Sequence, residues 1–211
     1  MLEIILVRHG QTDWNASETF RGRLEVDLND VGMKQAESLG DYLGKEKIDI
    51  IYSGPLQRAV VTAKAIANGQ NLDINTVENL TDFDYGDWQG ISRQEVEKNY
   101  PELYRDWLDT PEQVKMPGGE SLEDVRKRAM PFIEDAMMRS GEGKIVFVSH
   151  RVVIKVVICA LLGLDTSHFW SFRIDTCGLT RFAAGDGRLV LTKHNDTSFL
   201  APSETSGGRD F

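Results

Sequence analysis

Two histidines follow apolar segments that are rich in β-branched residues. His9 lies two residues after the apolar run 4–7, and His150 lies two residues after the run 144–148. Short apolar runs bounded by glycine or polar residues are typical of buried strands. Because the carboxyl ends of parallel strands meet at one edge of a sheet, we expect both imidazoles to lie at that edge, where α/β proteins bind ligands.

Two arginines accompany these histidines. Arg8 directly precedes His9, and Arg58 lies in the first turn of a predicted helix that follows a strand ending at Ser53. Guanidinium groups and helix N-termini bind anions. Imidazole attacks phosphorus only when it is neutral, and neighbouring cations lower its pKa. The same cations stabilise the charge that develops on a transferred phosphoryl group. This pattern predicts phosphoryl transfer through a phosphohistidine.

Hydrolysis of a phosphate ester also needs an acid, because an alkoxide is a poor leaving group. The segment 80–90 holds three carboxylates, Asp82, Asp84 and Asp87, among glycines and aromatic residues. The negative charge of a bound phosphate would raise the pKa of a neighbouring carboxyl group and keep it protonated. The residues alone leave open which of the three is the acid, and any one of them could instead belong to a polar turn.

The amino-acid composition argues against several classes of binding partner. The 211 residues include 24 basic and 33 acidic side chains, for a net charge of −9. That charge disfavours nonspecific binding to nucleic acid or to an anionic membrane. The spacing of Cys159 and Cys177 matches no zinc pattern, and we expect two buried, reduced thiols. Without a leader-like segment or an apolar run of membrane-spanning length, we expect a cytoplasmic protein.

The alternation of strands and helices predicts an α/β fold, a three-layer sandwich with a mostly parallel central sheet flanked by helices. We expect a single domain over residues 1–200, a lid-like insertion at about 91–120, and a disordered tail over 201–211. Further strands are predicted at 48–52, 74–77, 178–184 and 189–193, the last two antiparallel to each other. Helices are predicted from Asn29 to about 43, from the turn at 53–55 to Asn68-Gly69, and over 93–100, 102–108, 121–138 and 152–162.

Taken together, these motifs resemble the histidine phosphatase superfamily in its phosphoglycerate-mutase-like branch, on the phosphatase side that includes alpha-ribazole phosphatase-like members. The matching stretches are LVRHGQTDWN (6–15), FRGRLEVDLNDVGMKQA (20–36), YSGPLQRAVVTA (52–63), NLTDFDYGDWQG (79–90), PGGESLEDVRKR (117–128) and VSHRVVIK (148–155). They occur in the family's order and cover about residues 1–200. The triplet Arg-His-Gly alone would be a weak signal, whereas the ordered set is a strong one.

The resemblance implies a role for each matching residue. His9 would be the nucleophile that becomes phosphohistidine. Arg8, Arg58 and His150 would line the phosphate pocket, and Asn15 would donate a further hydrogen bond. The histidines are accompanied by arginines and not by the further carboxylate or imidazole ligands that a catalytic metal needs, so we expect neither a metal nor a cofactor. The substrate would be a small phosphorylated metabolite.

Other positions depart from the family pattern or are less specific. Asp82 stands where the branch usually has a proton-donating Glu, and its reach is shorter by roughly 1.5 Å. Asp84 is therefore an alternative acid. Arg151 replaces a Gly that often follows the second histidine, so its side chain either points away as a surface charge, our default expectation, or adds a third guanidinium for substrate. Gly22 belongs to a loop that in this branch often approaches the phosphate, and the neighbouring Arg21 would contact a second anionic group of the substrate.

Three functions are compatible with this sequence. A phosphomonoesterase is favoured, because cofactor-dependent phosphoglycerate mutases, the main alternative, usually have a longer insertion. A non-catalytic phospho-ligand binding module is the third. In a phosphatase, Trp107 and Tyr104 of the insertion should affect selectivity more than the phosphate chemistry. The sequence leaves the oligomeric state open, with a homodimer as one alternative.

Overall fold

Six strands form one sheet in the computed structural model of the chain, which describes residues 1–68 and 70–205. The strands are β1 (Leu2–Arg8), β2 (Ile50–Ser53), β3 (Ile74–Thr76), β4 (Gly143–Ser149), β5 (Leu179–Gly185) and β6 (Arg188–Asp196). Their order across the sheet is β3-β2-β4-β1-β5-β6. Strands β1 to β4 are mutually parallel, whereas β5 runs antiparallel to β1 and β6 antiparallel to β5. The predicted mostly parallel sheet is confirmed.

Seven α-helices accompany the sheet in the described part of the chain. They are α1 (Asp13–Ala16), α2 (Asp30–Leu43), α3 (Gln57–Ala67), α4 (Arg93–Asn99), α5 (Pro101–Asp109), α6 (Leu122–Ser140) and α7 (Arg151–Leu161). Short 3₁₀ helices lie at Glu78–Leu80, Gly86–Trp88, Pro111–Gln113 and Thr166–Ser171. Helix α2 begins as predicted after Asn29, whose side chain accepts a hydrogen bond from the Gly32 amide. Helix α3 ends with Asn68 as its C-cap, and Gly69 lies outside the described residues.

The central strands bury both of their faces. Along β1, Ile4 and Leu6 pack into the same apolar cluster as α6 and α7, while Ile5 and Val7 pack with α2 and α3. Successive side chains of a strand point to opposite faces, so this alternation places one pair of helices on each side of the sheet. The result is the predicted three-layer sandwich.

The register between the two central parallel strands determines where the histidines emerge. Val7 lies opposite Val148, and Arg8 lies opposite Ser149. The next residue of each strand is His9 or His150, so the two imidazoles leave the sheet side by side. They lie at the carboxyl edge, as the sequence predicts.

The insertion at 91–120 is attached to the loop that precedes Gly22. The Phe20 amide donates to the Ile91 carbonyl, the Gly90 amide donates to the Phe20 carbonyl, and the Arg93 amide donates to the Glu18 carbonyl, at 2.8–3.0 Å. These bonds form a short ladder between two segments that are about seventy residues apart in the sequence. That the insertion acts as a lid stays a prediction.

The chain after Leu200 is described only as far as residue 205. Residues 201–205 form a turn beside helix α2. The Glu204 carbonyl accepts a hydrogen bond from the Gln35 amide, and its carboxylate accepts one from Ser38 at 3.1 Å. That the tail 201–211 is disordered stays a prediction. The remaining tail residues, 206–211, lie outside the described residues.

Candidate active site

His9 has the form that a nucleophile requires. Its ring Nδ1 lies 2.7 Å from the Gly10 carbonyl oxygen, which can only accept, so Nδ1 carries the proton and Nε2 carries the lone pair. Nε2 is buried and has no hydrogen-bond partner in the described part of the chain. Burial, followed by the charges of Arg58, His150 and Arg8, holds the pKa of His9 well below its usual value. The imidazole is therefore neutral near pH 7, with its free nitrogen available for attack.

His150 is the second buried imidazole. It is the N-cap of helix α7, and its ring centroid lies 5.1 Å from that of His9. Burial lowers the pKa of His150 to about 3, and the opposing charge of Asp82 only partly offsets the effect of burial and of Arg58. Its Nδ1 is 3.4 Å from Asp82 Oδ2 without hydrogen-bond geometry. A neutral imidazole makes this contact a polar one and not an ion pair.

The two predicted phosphate-binding arginines are held by backbone carbonyl groups. Arg58 is fully buried at the start of α3, where it donates to the carbonyl oxygens of Leu24 at 2.8 Å and Gly22 at 2.6 Å. Arg8 is buried and donates to the Ile174 carbonyl. The Nε atom of Arg58 is buried without a hydrogen-bond partner in the described part of the chain, so it retains a donor for an anion.

Asp82, and not Asp84, lies among these groups. Asp82 Oδ2 accepts from Arg58 Nη2 at 3.0 Å, and Oδ1 accepts from the Phe83 amide at 2.8 Å. Burial by itself would raise the pKa of Asp82, but the neighbouring positive charges, Arg58 among them, outweigh burial and lower it. Asp84 instead accepts from the Gly86 amide and lies 3.7 Å from Arg23, away from the cavity described next.

A cavity of about 260 Å³ opens above these residues. Six of the predicted site residues line it: Arg8, Asn15, Arg21, Gly22, Asp82 and Arg151. Its other walls include the aromatic side chains of Trp14, Phe20, Tyr85, Tyr104 and Trp107. His9, Arg58 and His150 are fully buried and do not line the cavity, but Asp82 in its wall lies 3.0 Å from Arg58 and 3.4 Å from His150. The nine predicted site residues are thus brought together.

The loop 20–24 supplies a guanidinium whose Nε atom has no hydrogen-bond partner among the described residues. Arg21 Nε is buried and unpaired, and burial together with the charges of Arg8 and Arg151 lowers the pKa of Arg21 to about 9. An anion bound beside it would relieve that repulsion. Gly22 has a φ of 54°, a left-handed conformation that favours glycine, and a Cβ there would lie 2.2 Å from Gln89 Oε1, so the Gln89 side chain would have to move.

Asn15 and Arg151 also face the cavity. Asn15 Oδ1 accepts from the amide and hydroxyl groups of Thr12 at 2.9 Å, so its NH₂ is the group left to donate. Arg151 is 8% exposed, donates to the Tyr85 hydroxyl at 3.3 Å and lies 6.0 Å from the Trp170 ring. The default expectation of a surface charge at Arg151 is wrong, because packing on Trp170 turns the guanidinium inward.

Several lining residues were not predicted from the sequence. Tyr85 contacts Arg151, and burial raises the pKa of its hydroxyl. Arg93 donates from Nε to the Tyr104 hydroxyl at 2.8 Å and lies 3.5 Å from Glu18. These contacts join loops that are distant in the sequence, and no spacing rule signals them.

Comparison with known proteins identifies the family. The model of the histidine phosphatase superfamily (branch 1) matches residues 4–197. The chain belongs to this superfamily. This histidine phosphatase is 39% identical over 200 residues to phosphoserine phosphatase 1 of Hydrogenobacter thermophilus, with 95% of each chain covered. It is 33% identical over 175 residues to glucosyl-3-phosphoglycerate phosphatase of Mycolicibacterium vanbaalenii, covering 79% and 76% of the two chains.

A solved structure shares the fold. Phosphoserine phosphatase from Entamoeba histolytica, determined in complex with phosphoserine, superposes on this histidine phosphatase with a TM-score of 0.86 and 30% identity, covering 95% of this chain and all of that one. The predicted resemblance is thereby confirmed, and the chain is a phosphatase that hydrolyses a small phosphorylated metabolite.

Other sequence expectations concern metals, thiols and membranes. Within residues 1–68 and 70–205, no three metal-ligating side chains of His, Cys, Asp or Glu form a group. Cys159 and Cys177 are both buried and free, as predicted. In the same residues, no helix combines the length and apolar character that crossing a membrane requires.

Proposed function

We propose that this histidine phosphatase hydrolyses its substrate in two steps on His9. In the first, the Nε2 lone pair attacks phosphorus, the ester P–O bond breaks, and protonated Asp82 gives its proton to the leaving oxygen. In the second, Asp82 as a carboxylate takes a proton from water, the water oxygen attacks the phosphohistidine, and the P–N bond breaks. Inorganic phosphate leaves, and His9 is again neutral.

The observation that carries this proposal is the unpartnered Nε2 atom of His9. A buried polar atom without a hydrogen bond is costly unless a ligand occupies it. Here the atom lies near the guanidinium groups of Arg58 and Arg8, whose charges lower the pKa of His9. Those groups would bind the equatorial oxygens of the phosphoryl group as negative charge spreads over them.

The proposed acid must change its charge state when substrate binds. In the empty site the positive charge of Arg58, 3.0 Å away, favours ionised Asp82. A bound phosphate would take over that guanidinium and place negative charge beside the carboxyl group. Both effects raise the pKa of Asp82 and favour its protonated form.

For the substrate we propose a short phosphomonoester that carries a carboxylate, with phosphoserine as the first candidate. Arg21 and Arg151 also line the cavity and suit a second anionic group. Glu18 and Asp175 also line the cavity and suit an ammonium group. The relatives that act on phosphoserine support this choice. We further propose metal-independent action in the cytoplasm, a location that the two free, buried thiols fit.

The test is phosphate release from phosphoserine, 3-phosphoglycerate and sugar phosphates with a chelator present. We expect turnover by the wild-type protein and its loss in His9→Ala, together with loss of an acid-labile phosphoenzyme. Turnover that survives His9→Ala would refute the phosphohistidine mechanism, and inhibition by the chelator would refute metal independence. Phosphoryl transfer between the positions of phosphoglycerate without phosphate release would identify the mutase, and binding without either reaction would identify a binding module.

A further inference from the structure

Glu120, in the stretch 117–128, lies at the centre of an ion-pair cluster outside the cavity. Its Oε1 accepts from Arg128 Nε at 2.8 Å and lies 2.9 Å from Arg23 Nη2. Its Oε2 accepts from Arg128 Nη2 at 3.1 Å and from the Asp84 amide at 3.0 Å. One carboxylate thus joins two guanidinium groups to the segment that holds the proposed acid. We call Glu120, Arg128 and Arg23 the Glu120 cluster.

Both arginines of the Glu120 cluster also donate to the backbone of Asp82. The Asp82 carbonyl oxygen accepts from Arg128 Nη2 at 3.1 Å and from Arg23 Nε at 3.4 Å. Arg128 Nη1 donates to the Asn79 carbonyl at 2.8 Å. A single guanidinium therefore binds carbonyl groups at both ends of the segment 79–82, a geometry that the flat, forked group of arginine allows and lysine does not.

The turn before Glu120 brings the two segments into backbone contact. The Glu120 amide donates to the Asp84 carbonyl at 2.9 Å. A Cβ on Gly119 would lie 2.3 Å from that same carbonyl oxygen, so a side chain at 119 would push the segments apart. The Pro-Gly-Gly-Glu run thus places the Glu120 carboxylate within reach of the backbone at Asp82.

Backbone placement matters more for aspartate than for a longer acid. A general acid must come within about 2.6–3.2 Å of the oxygen that it protonates. The short side chain of Asp82 has few torsions with which to correct an error in the position of its Cα atom. Its two carboxylate oxygens are in addition bound to the Phe83 amide and to Arg58.

We propose that the Glu120 cluster fixes the backbone of Asp82 at the position from which its carboxyl group reaches the leaving oxygen. This inference rests on the proposed role of Asp82 as the acid. None of the three side chains lines the cavity, so they are positioning residues. Their loss should impair protonation of the leaving group while leaving phosphate binding and the nucleophile intact.

Substrates with different leaving groups distinguish a loss of leaving-group protonation from a loss of phosphate binding or of nucleophilic attack. An alkyl phosphomonoester such as phosphoserine needs the acid, whereas 4-nitrophenyl phosphate has a leaving group that departs without protonation. We would measure kcat/KM for both, because this ratio reports the first half-reaction. Arg128→Lys keeps the charge but loses the fork, and Arg23→Gln removes a side chain that is 41% exposed. We expect each to lower kcat/KM for the alkyl ester by about 10- to 100-fold and for the aryl ester by less than about 3-fold.

Arg126→Gln is the matched control. Arg126 lies on the same helix, α6, is exposed, and pairs only at 3.8 Å with Glu123 among the described residues. The control should change kcat/KM for neither ester. An equal loss on both esters in Arg128→Lys and Arg23→Gln, or no loss on either ester, would overturn the positioning role. If Arg128→Lys fails to fold, the half-exposed Arg23→Gln decides.

Asp82→Asn distinguishes failure of this inference from failure of the mechanism. It should show the same selective loss on the alkyl ester, and adding Arg128→Lys to it should cause no further selective loss. An equal loss on both esters in Asp82→Asn would reject Asp82 as the acid. A selective loss in Asp82→Asn, but in neither arginine variant, would reject the Glu120 cluster alone.

Discussion

Arg58 Nη2 donates to Asp82 Oδ2 at 3.0 Å in a region where both side chains are almost completely shielded from water. The same guanidinium binds the Gly22 and Leu24 carbonyl groups, so the loop 20–24, helix α3 and the proposed acid meet at one group. In the proposed mechanism an arriving phosphate would compete with Asp82 for this arginine. Phosphate binding and the charge state of Asp82 would therefore be coupled.

We expect binding of an anion to be accompanied by uptake of a proton on Asp82. Its pKa is lowered in the empty site, in spite of burial, by neighbouring positive charges, and an anion removes that effect. Titration calorimetry with sulfate, which does not itself titrate near neutral pH, measures this as an apparent enthalpy that depends on the buffer. The dependence should disappear in Asp82→Asn. A buffer-independent enthalpy in the wild-type protein would contradict the coupling.

Arg21→Gln should weaken binding of substrates that carry a second anionic group. The buried guanidinium of Arg21 has an unpaired Nε, and a charge-assisted hydrogen bond to a carboxylate contributes about 1.5–3 kcal/mol. We therefore expect KM for phosphoserine to rise about 10-fold or more, and KM for an uncharged phosphomonoester to rise less. Arg105→Gln, at an exposed position of helix α5, is the control and should change neither KM. Equal increases for the two substrates would show that Arg21 binds only the phosphate.

Tyr104→Phe should change the preference among substrates more than the phosphate chemistry. The Tyr104 hydroxyl accepts from Arg93 Nε at 2.8 Å at the cavity wall, and the ring can remain in place without it. We expect the ratio of kcat/KM for two different phosphomonoesters to change by about 3-fold or more, with about 1 kcal/mol lost in the free energy of unfolding. The same proportional loss on every substrate would count against a role of the insertion in selectivity.

Trp107 is a poorer probe of the same question. Its ring is fully buried and packs against Phe83 and Phe169, with centroids 5.7 Å and 5.3 Å apart. Trp107→Ala should lower the free energy of unfolding by about 3–5 kcal/mol, as measured in urea, because it leaves a cavity in the core. A loss below about 1 kcal/mol would mean that the insertion packs only loosely on the sheet.

The free energy of unfolding should fall as the pH drops below about 6.5, the ordinary pKa of histidine. In the folded protein the pKa of His150 is lowered to about 3 and that of His9 is also lowered. The unfolded chain therefore binds more protons in this range, and stability rises with pH. Each such histidine contributes up to ~1.4 kcal/mol per pH unit.

Urea unfolding at several pH values between 5 and 7 measures this slope. His150→Asn should reduce the slope. A stability that does not change over this interval in the wild-type protein would show that folding does not lower the pKa of the two imidazoles.

Much of the sheet and the core of the site follow from the sequence because they depend on local signals. The runs before His9 and His150 predict two parallel strands that end at the same edge of the sheet. The structure shows that these strands are neighbours, and their register brings the two rings to within 5.1 Å. Asn29 and Ser121 cap helices α2 and α6 through their own side chains, so those helix starts are visible in the chain.

The features that the sequence analysis missed or predicted wrongly depend on contacts between residues that are distant in the sequence. Arg151 turns inward because Trp170 and Tyr85, remote in sequence, provide its surroundings. The Glu120 cluster joins the loop 20–24 to the stretch 117–128, and no periodicity links Arg23 to Glu120. The turn at 201–205 depends on Gln35 and Ser38 of helix α2. Contacts of this kind become visible only when the chain has folded.

The ladder between residues 18–20 and 90–93 has a consequence for exchanging specificity between relatives. Backbone hydrogen bonds join residues 90–93, where the insertion begins, to residues 18–20, which directly precede Arg21. If only residues 91–120 were replaced by those of a relative, their backbone would have to pair with residues 18–20 of a different parent. We expect the loop 20–24 to be displaced as a result. A chimaera that takes both segments from the same parent would retain the hydrogen-bond register, so the two segments should be exchanged together.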